Sequence, residues 1–509
     1  MTSPKRYIWL LFLPVVFLVS CTNNQVNNSD EVVATQPLDG LDQYIETAVQ
    51  TWGAPGLAIA IVKNDEVVYA KGFGVREMGK PESVDSETLF HIGSTTKAFI
   101  TMALGMLVSD GEIKWNDKVI SHMPDFRVAD PSVTQDLTVI DIVTHRSGVQ
   151  TGDLLWVAGL SREQIIANMA NAPQVFSFRS DFQYNNNMYL LAGELIEAVS
   201  GMPFEDFIRS RILDPLGMKA TTLYMDEWTA NDNRTAAHDT LNDQPMRPIE
   251  YPSIYNAGGA GLMNSNVSEM TQWIRFLLNK GTLNGEQLVS SRSFDAIFEP
   301  YIFMQQSPYP AASQAESNVF GYGLGWFLQD YRGQKMIMHT GSIWGQSAIL
   351  GLLPEENLGV VVYINADHIE LRHALMYHVF DRYLGETDKD WSTDLFDLYT
   401  GINQKNIQAQ KEAEAQRQSD TKPTHSVSDY AGTYNHPYFD TIQILSDGSN
   451  LSFEYGVGLH GTMGHWQHDQ FQVSFHDERL GKTVVEFKLN EQNEVVAVQV
   501  FGESFNREY

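Results

Sequence analysis

The sequence predicts an α+β protein: one antiparallel sheet flanked by helices, with a helical lobe inserted in the middle, followed by a small all-β barrel. Three observations carry this. Strand-like apolar runs cluster at both ends of residues 38–395 and helical patterns fill the space between them. After a polar stretch, the last 80 or so residues become short β runs separated by turn residues. At 509 residues the chain is too long for a single hydrophobic core, so more than one unit is expected.

Residues 1–20 read as an export signal, with Lys5 and Arg6 preceding the apolar stretch Ile8 to Val19. The leader ends in Leu18-Val19-Ser20-Cys21, which resembles the bacterial lipobox, whose cysteine is lipidated and becomes the mature N-terminus. Cys21 is the one cysteine of the chain, which excludes an internal disulfide. Thr22 rather than Asp follows it, and resemblance to Gram-negative lipoproteins implies an outer-membrane lipoprotein facing the periplasm. Residues 21–37 are polar and Asn-rich, a flexible tether spanning roughly 20 Å.

Residues 38–397 form the expected main domain. Gly56 to Gly74 reads as a hairpin turning at Lys63-Asn64-Asp65-Glu66. Helical patterns follow over Leu89 to Ser109, Thr138 to His145, Tyr189 to Ser200, Phe204 to Ile212 and Ser268 to Asn279. Four strand-like runs close the domain: YGLGWFLQD, KMIMHTG, SAILGLLP and LGVVVYIN. Residues 398–428 are Gln/Lys/Glu-rich, an exposed helix and linker broken at Pro423. Residues 429–509 carry five clear β runs: DTIQIL, NLSFEY, QFQVSF, KTVVEFKL and EVVAVQVF. Barrel and sandwich both fit that pattern.

The composition is that of a folded protein, 43% hydrophobic with 11% aromatic residues. A formal net charge of −29 excludes nucleic acid as a natural partner, because polyphosphate would be repelled at long range. Solubility accounts for the charge. The expected partner is a small-molecule or short-peptide substrate, with membrane association through the N-terminal lipid alone and no cofactor.

The chemistry concentrates in HIGSTTKAFI, where Ser94 and Lys97 lie three apart at the mouth of an apolar helix. A serine hydroxyl needs a base within hydrogen-bonding reach to act as a nucleophile, and residues i and i+3 share a helix face. At a helix N-terminus the serine's own N–H is available to an oxyanion. The same spacing recurs at Ser419 and Lys422, but in the polar linker, where no apolar helix buries it. Tyr184-Asn185-Asn186 lies in a loop before an amphipathic helix, whereas Tyr363-Ile364-Asn365 ends a strand. His339-Thr340-Gly341 completes the set.

In this order the three motifs resemble the serine β-lactamase and penicillin-binding protein superfamily, specifically its class C β-lactamase, D,D-peptidase and esterase branch. LTVIDIVTHRSGV, GMPFEDFIRSRILDPLGM and NAGGAGLMNSNVSEMTQWIRFLLNKG resemble family segments too, and the similarity covers roughly residues 40 to 380. The tail resembles a lipocalin-like β domain found after such hydrolases. The resemblance implies an acyl-enzyme on Ser94, with Lys97 holding Tyr184 near its phenolate form and Tyr184 taking the serine proton. It also implies that Asn186 orients Lys97 and binds the substrate, that His339, Thr340 and Gly341 bind substrate, and that the N–H groups of Ser94 and Ser342 form the oxyanion hole. Whether Tyr184 or Lys97 is the base stays open, since the two titrate as a pair. A phenol of pKa about 10 needs about 4 kcal/mol of stabilisation to ionise near neutrality.

His339 stands where class C β-lactamases usually carry lysine. A histidine of ordinary pKa about 6.5 is mostly neutral at pH 7, so anchoring of a substrate carboxylate is weakened. The reading is therefore a D,D-peptidase-like or esterase-like serine hydrolase acting on an ester, peptide or D-amino-acid amide. The alternatives are a true β-lactamase and a penicillin- or peptide-binding lipoprotein that is acylated without turnover. No metal is expected: His368, His373 and His378 are spaced by five, which does not align them on a helix, and His460, His465 and His468 have no ligand-spaced partners. Because no motif falls after residue 429, the tail is expected to be separable from the chemistry.

Overall fold

The computed structural model describes residues 37–509 except 242–244, 252–254, 368 and 387. The leader, Cys21 and nearly all of the tether, together with His368, lie outside the described residues.

An eight-stranded antiparallel sheet organises the first part. Its strands are β1 (Gly56–Lys63), β2 (Glu66–Gly74), β3 (Ile302–Met304), β4 (Phe320–Tyr322), β5 (Phe327–Tyr331), β6 (Gln334–Ile343), β7 (Gln346–Leu353) and β8 (Leu358–Ile364). They lie in the order β2-β1-β8-β7-β6-β5-β4-β3, so the first hairpin supplies one edge, as expected. Asn64 and Asp65, with φ of 54° and 67°, form the two-residue turn that matches strand twist. β1 is buried on both faces. Ala58, Ala60 and Val62 join one core, and Leu57, Ile59 and Ile61 the other.

Helices cover both faces. α1 (Leu41–Trp52) and α5 (Leu371–Leu384) share the second core, while α2 (Thr96–Asp110), α3 (Asn186–Ser200) and α4 (Val267–Leu278) share the first. α2 is buried continuously from Thr96 to Leu107, which is why its sequence is apolar all round. It begins seven residues later than its pattern predicts. Phe90 and His91 pair instead with Ser265 and Asn264, and Gly93 at φ 50° breaks the chain before the helix. α3 begins three residues earlier than predicted, because the Asn185 side chain caps it by accepting from the N–H groups of Asn187 and Met188. The pattern over Phe204 to Ile212 divides into an α-helix ending at Ile208 and a π-helical turn, Arg209–Leu213.

α6 (Trp391–Ala415) runs straight through the boundary expected at residue 397. Its first turns bury Trp391 and Leu395 in the second core, and only its later turns are the exposed polar helix that composition suggested. The C-terminal unit is a closed eight-stranded barrel: β9 (Gly432–His436), β10 (Asp440–Ser446), β11 (Leu451–Tyr455), β12 (Leu459–Gln467), β13 (Gln470–Phe475), β14 (Lys482–Leu489), β15 (Val495–Val500) and β16 (Glu503–Arg507). Pairing of Tyr434 with Arg507 and of Asn435 with Asn506 closes it. β9, β12 and β16 escape the sequence pattern, since their Gly, His, Asn and Arg residues mask the two-residue alternation.

Candidate active site

Ser94 sits in a single 3-10 turn, Gly93–Thr95, that feeds directly into α2. The turn lies against β6 so closely that a Cβ on Gly93 would stand 2.8 Å from the Ser342 nitrogen, and one on Gly341 3.1 Å from the Ser94 nitrogen. Only glycines permit this approach. It places the N–H-bearing atoms of Ser94 and Ser342 beside one opening, a cavity of about 60 Å³ lined also by Trp156, Asn186, Leu190 and Ala260. Arg372, buried behind β6, steadies that strand by donating to the Gly341 carbonyl at 2.5 Å and to Ser342 Oγ at 2.8 Å.

Lys97 is wholly buried, and its Nζ has three oxygen neighbours: Ser94 Oγ at 3.0 Å, Asn186 Oδ1 at 2.8 Å and the Ala260 carbonyl at 2.7 Å. Two of these are acceptors only, whereas a hydroxyl can donate as well. A neutral Lys97 therefore satisfies all three by donating to Asn186 and Ala260 and accepting from Ser94. Burial pushes its pKa down to about 7, while the carboxylate of Asp153 acts in the opposite sense. Asn186 links the two, since its Nδ2 donates to the Asp153 carboxylate at 3.1 and 3.2 Å.

Tyr184 lies beside this cluster, its ring centroid 4.8 Å from Lys97 Nζ. Burial pushes its pKa well above the ordinary value; Tyr322 and Tyr309 push the same way, and a hydrogen bond with Ser94 opposes them. The expectation of a phenolate held by Lys97 thus meets an unfavourable environment, because the burial that lowers the lysine's pKa also disfavours the anion. His145 fixes the loop: its Nδ1 accepts the Asn185 N–H at 3.0 Å and its ring lies 4.2 Å from that of Tyr184. His145 adopts φ 57°, and burial pushes its pKa well below the ordinary value, with Lys97 and His339 acting in the same sense.

His339 departs from the expectation of a cleft-facing side chain. It is 1% exposed, its Nδ1–H donates to the Thr340 carbonyl at 2.6 Å, and its Nε2 accepts from the Tyr322 hydroxyl at 3.0 Å. Burial, reinforced by Lys97 and Arg372, lowers its pKa to about 3. Thr340 shares a 2.6 Å hydrogen bond with the Tyr309 hydroxyl. Of the third motif and its successor, Ser342 lines the cavity, Gly341 packs against the Ser94 turn, and His339 and Thr340 are buried behind them.

Tertiary structure thus gathers Ser94, Lys97, Tyr184, Asn186, Gly341 and Ser342. The sequence reading missed Asp153, His145, Arg372 and the Ala260 carbonyl. His145 lies in the quoted segment LTVIDIVTHRSGV, but Asp153 had no local signal. The copy at Ser419 and Lys422 is exposed, and Tyr363 is core. His373 pairs with Glu370 at 2.5 Å, His378 stacks on Tyr44, and His468 bonds Gln418. Among the described residues no group of three or more His, Cys, Asp or Glu is placed to hold a metal ion.

The barrel is packed against the lobe that carries the site, although none of the three motifs falls within the barrel. Asn187, next to Asn186, donates through Nδ2 to the Tyr438 hydroxyl at 3.1 Å. The N–H groups of Val457 and Gly458 donate to the Ala158 carbonyl at 2.9 and 3.0 Å. A Cβ on Gly152, Gly456 or Gly458 would collide with the opposite partner across this contact.

Residues 41–381 match the Beta-lactamase family model, and residues 416–508 match a domain of unknown function, DUF3471. The chain is similar to the unguisins hydrolase ungD of Aspergillus violaceofuscus (strain CBS 115571), 27% identical over 441 residues that make up 81% of this chain and 78% of that protein. Its fold is shared with the octameric penicillin-binding protein homologue from Pyrococcus abyssi, with a TM-score of 0.62, 21% identity and coverage of 92% of this chain and 99% of that one. A D-stereospecific amidohydrolase from Streptomyces sp. superposes with a TM-score of 0.54 at 23% identity, covering 69% of this chain and 99% of that one.

Proposed function

The chain belongs to the beta-lactamase family, and from that premise we propose that it is a serine hydrolase that forms an acyl-enzyme on Ser94 and acts on an ester, peptide or D-amino-acid amide. The observation that carries the reading is the coordination of Lys97 Nζ by Ser94, Asn186 and the Ala260 carbonyl in a buried site. Burial that lowers the Lys97 pKa to about 7 brings the neutral amine, able to accept a proton, within reach near neutral pH.

In this mechanism the Lys97 lone pair takes the Ser94 hydroxyl proton as Oγ bonds the substrate carbonyl carbon. The N–H groups of Ser94 and Ser342 receive the oxyanion. The bond to the leaving group then breaks, and its nitrogen or oxygen takes a proton from the neutral Tyr184 hydroxyl, which Lys97 reprotonates. Water attacks the acyl ester, its proton returns through the same pair, and Ser94 is restored. Asn186 holds Lys97 and Asp153 holds Asn186. The buried, neutral His339 offers no cation for a substrate carboxylate, which supports an amidase or esterase over a true β-lactamase. Lipid attachment at Cys21 and a periplasm-facing outer-membrane location belong to the same proposal.

Intact-mass measurement after treatment with a fluorophosphonate, short esters, cephalosporins and D-alanyl peptides tests this reading. A single adduct on Ser94, absent in Ser94→Ala, with turnover past one equivalent of an ester or amide, is the expected result. Turnover that survives Ser94→Ala overturns it. An adduct that forms once and persists for every substrate identifies a binding protein instead.

A further inference from the structure

A groove of about 490 Å³ adjoins the catalytic cavity, and Trp156 lines both. On the catalytic side its floor is the Trp156–Trp344 pair, with ring centroids 5.5 Å apart, and Leu160 stands beside it. Asn256 pins this wall by donating from Nδ2 to the Trp156 and Leu160 carbonyls at 2.8 and 3.0 Å. The barrel contributes Val457, Gly458, Asp477, Arg479 and Leu480 to the lining.

Two features of this lining favour an apolar group as its occupant. Val457 is 80% exposed although its backbone N–H is fixed to the Ala158 carbonyl, so an aliphatic side chain is held in water at the rim of the groove. Arg479 lays its guanidinium over the Trp344 ring at 5.1 Å, while Asp477 pairs with its charge and the Glu250 carbonyl accepts from Nη1. A guanidinium so engaged presents a flat face rather than a free cation.

We propose that this groove is the subsite for an apolar or aromatic side chain next to the scissile bond, so that the substrate is a peptide or peptide-like amide or ester recognised jointly by the catalytic lobe and the barrel. The inference rests on the reading of Ser94 as nucleophile. The catalytic cavity, at about 60 Å³, admits little beyond the reacting group, and the larger groove lies on the other side of their shared lining residue, Trp156. The barrel therefore determines specificity while contributing none of the residues assigned to the chemistry.

The test uses the full chain and compares N-acetylphenylalanine methyl ester, in its L and D forms, with N-acetylglycine methyl ester in a pH-stat. The wild type should prefer one phenylalanine ester by about tenfold or more in kcat/KM, and Trp344→Ala and Val457→Asp should each abolish most of that preference through KM. Fluorophosphonate labelling of Ser94 in each variant verifies that the site is intact. No preference in the wild type, or a preference that survives both variants, overturns the proposal. If neither ester is hydrolysed, calorimetric binding of N-acetylphenylalaninamide and N-acetylglycinamide to Ser94→Ala decides the matter. Equal binding refutes the groove, and tighter phenylalaninamide binding lost with Trp344→Ala upholds it. Hydrolysis that persists in Ser94→Ala sinks the serine mechanism alone.

Discussion

Burial raises the Asp153 pKa above the ordinary carboxylate value while the Asn186 hydrogen bond and Lys97 favour its ionised form, and replacing it with asparagine removes that negative charge from the surroundings of Lys97 while leaving an oxygen to accept the Asn186 amide. Lys97 Nζ lies 2.8 Å from Asn186 Oδ1, and Asn186 Nδ2 lies 3.1 Å from an Asp153 oxygen, so a single amide bridges the two charges. That geometry separates them by about 7 Å, where the attraction is worth about 0.6 kcal/mol in water and about 2.4 kcal/mol at an effective dielectric of 20. A value near the middle is about one pKa unit. The sign is fixed: a carboxylate favours the ammonium, so its removal lowers the Lys97 pKa from about 7 towards about 6. If neutral Lys97 is the base, the acid limb of Ser94 acylation moves down by about one unit. The rate at pH 6 then rises about fivefold, and the rate at pH 8 is nearly unchanged. The assay is the rate of fluorophosphonate labelling between pH 5 and 9 in wild type and Asp153→Asn. A limb that stays in place, or shifts upward, refutes the assignment of Lys97 as the titrating base.

Three further outcomes are expected. His339→Lys puts an ammonium against Tyr322 in a site without solvent, so it should lower the melting temperature, with a cost of about 2–5 kcal/mol, and should not improve KM for carboxylate-bearing substrates at pH 8; selective improvement of those substrates would restore the cation role. Gly456→Ala adds a Cβ at φ 56° that meets the Ala158 carbonyl, so limited proteolysis between residues 416 and 426 should accelerate as the barrel loosens, and unchanged cleavage would contradict the tight contact. Cys21→Ala should shift the protein from the membrane to the soluble fraction in a Gram-negative host, whereas a wild type already soluble there would remove the lipoprotein proposal.

Much of this protein is legible in its sequence because the relevant signals are local. Ser94 and Lys97 share a face by spacing alone, the apolar surround of α2 marks it as central, and the hairpin, the late strands of the sheet and five barrel strands declare themselves by alternation. Where local signals compete, the reading drifts. Gly93 delays α2, Asn185 advances α3, and buried Trp391 carries α6 across an apparent boundary.

What the tertiary structure decided is the electrical state of the site and its outer wall. Lys97 meets Asn186 from 89 positions away and Ala260 from 163, and the burial that results sets its charge as no spacing could. His339 reads as a weakened lysine in sequence, yet the fold turns it inward onto Tyr322, because desolvation and hydrogen bonding depend on neighbours that only packing supplies. The same holds for the barrel. Its residues carry no catalytic signature, but Tyr438 and Val457 reach the lobe that holds Asn187 and Ala158, a contact between segments roughly 250 to 300 residues apart that the chain specifies through complementary surfaces rather than any local pattern.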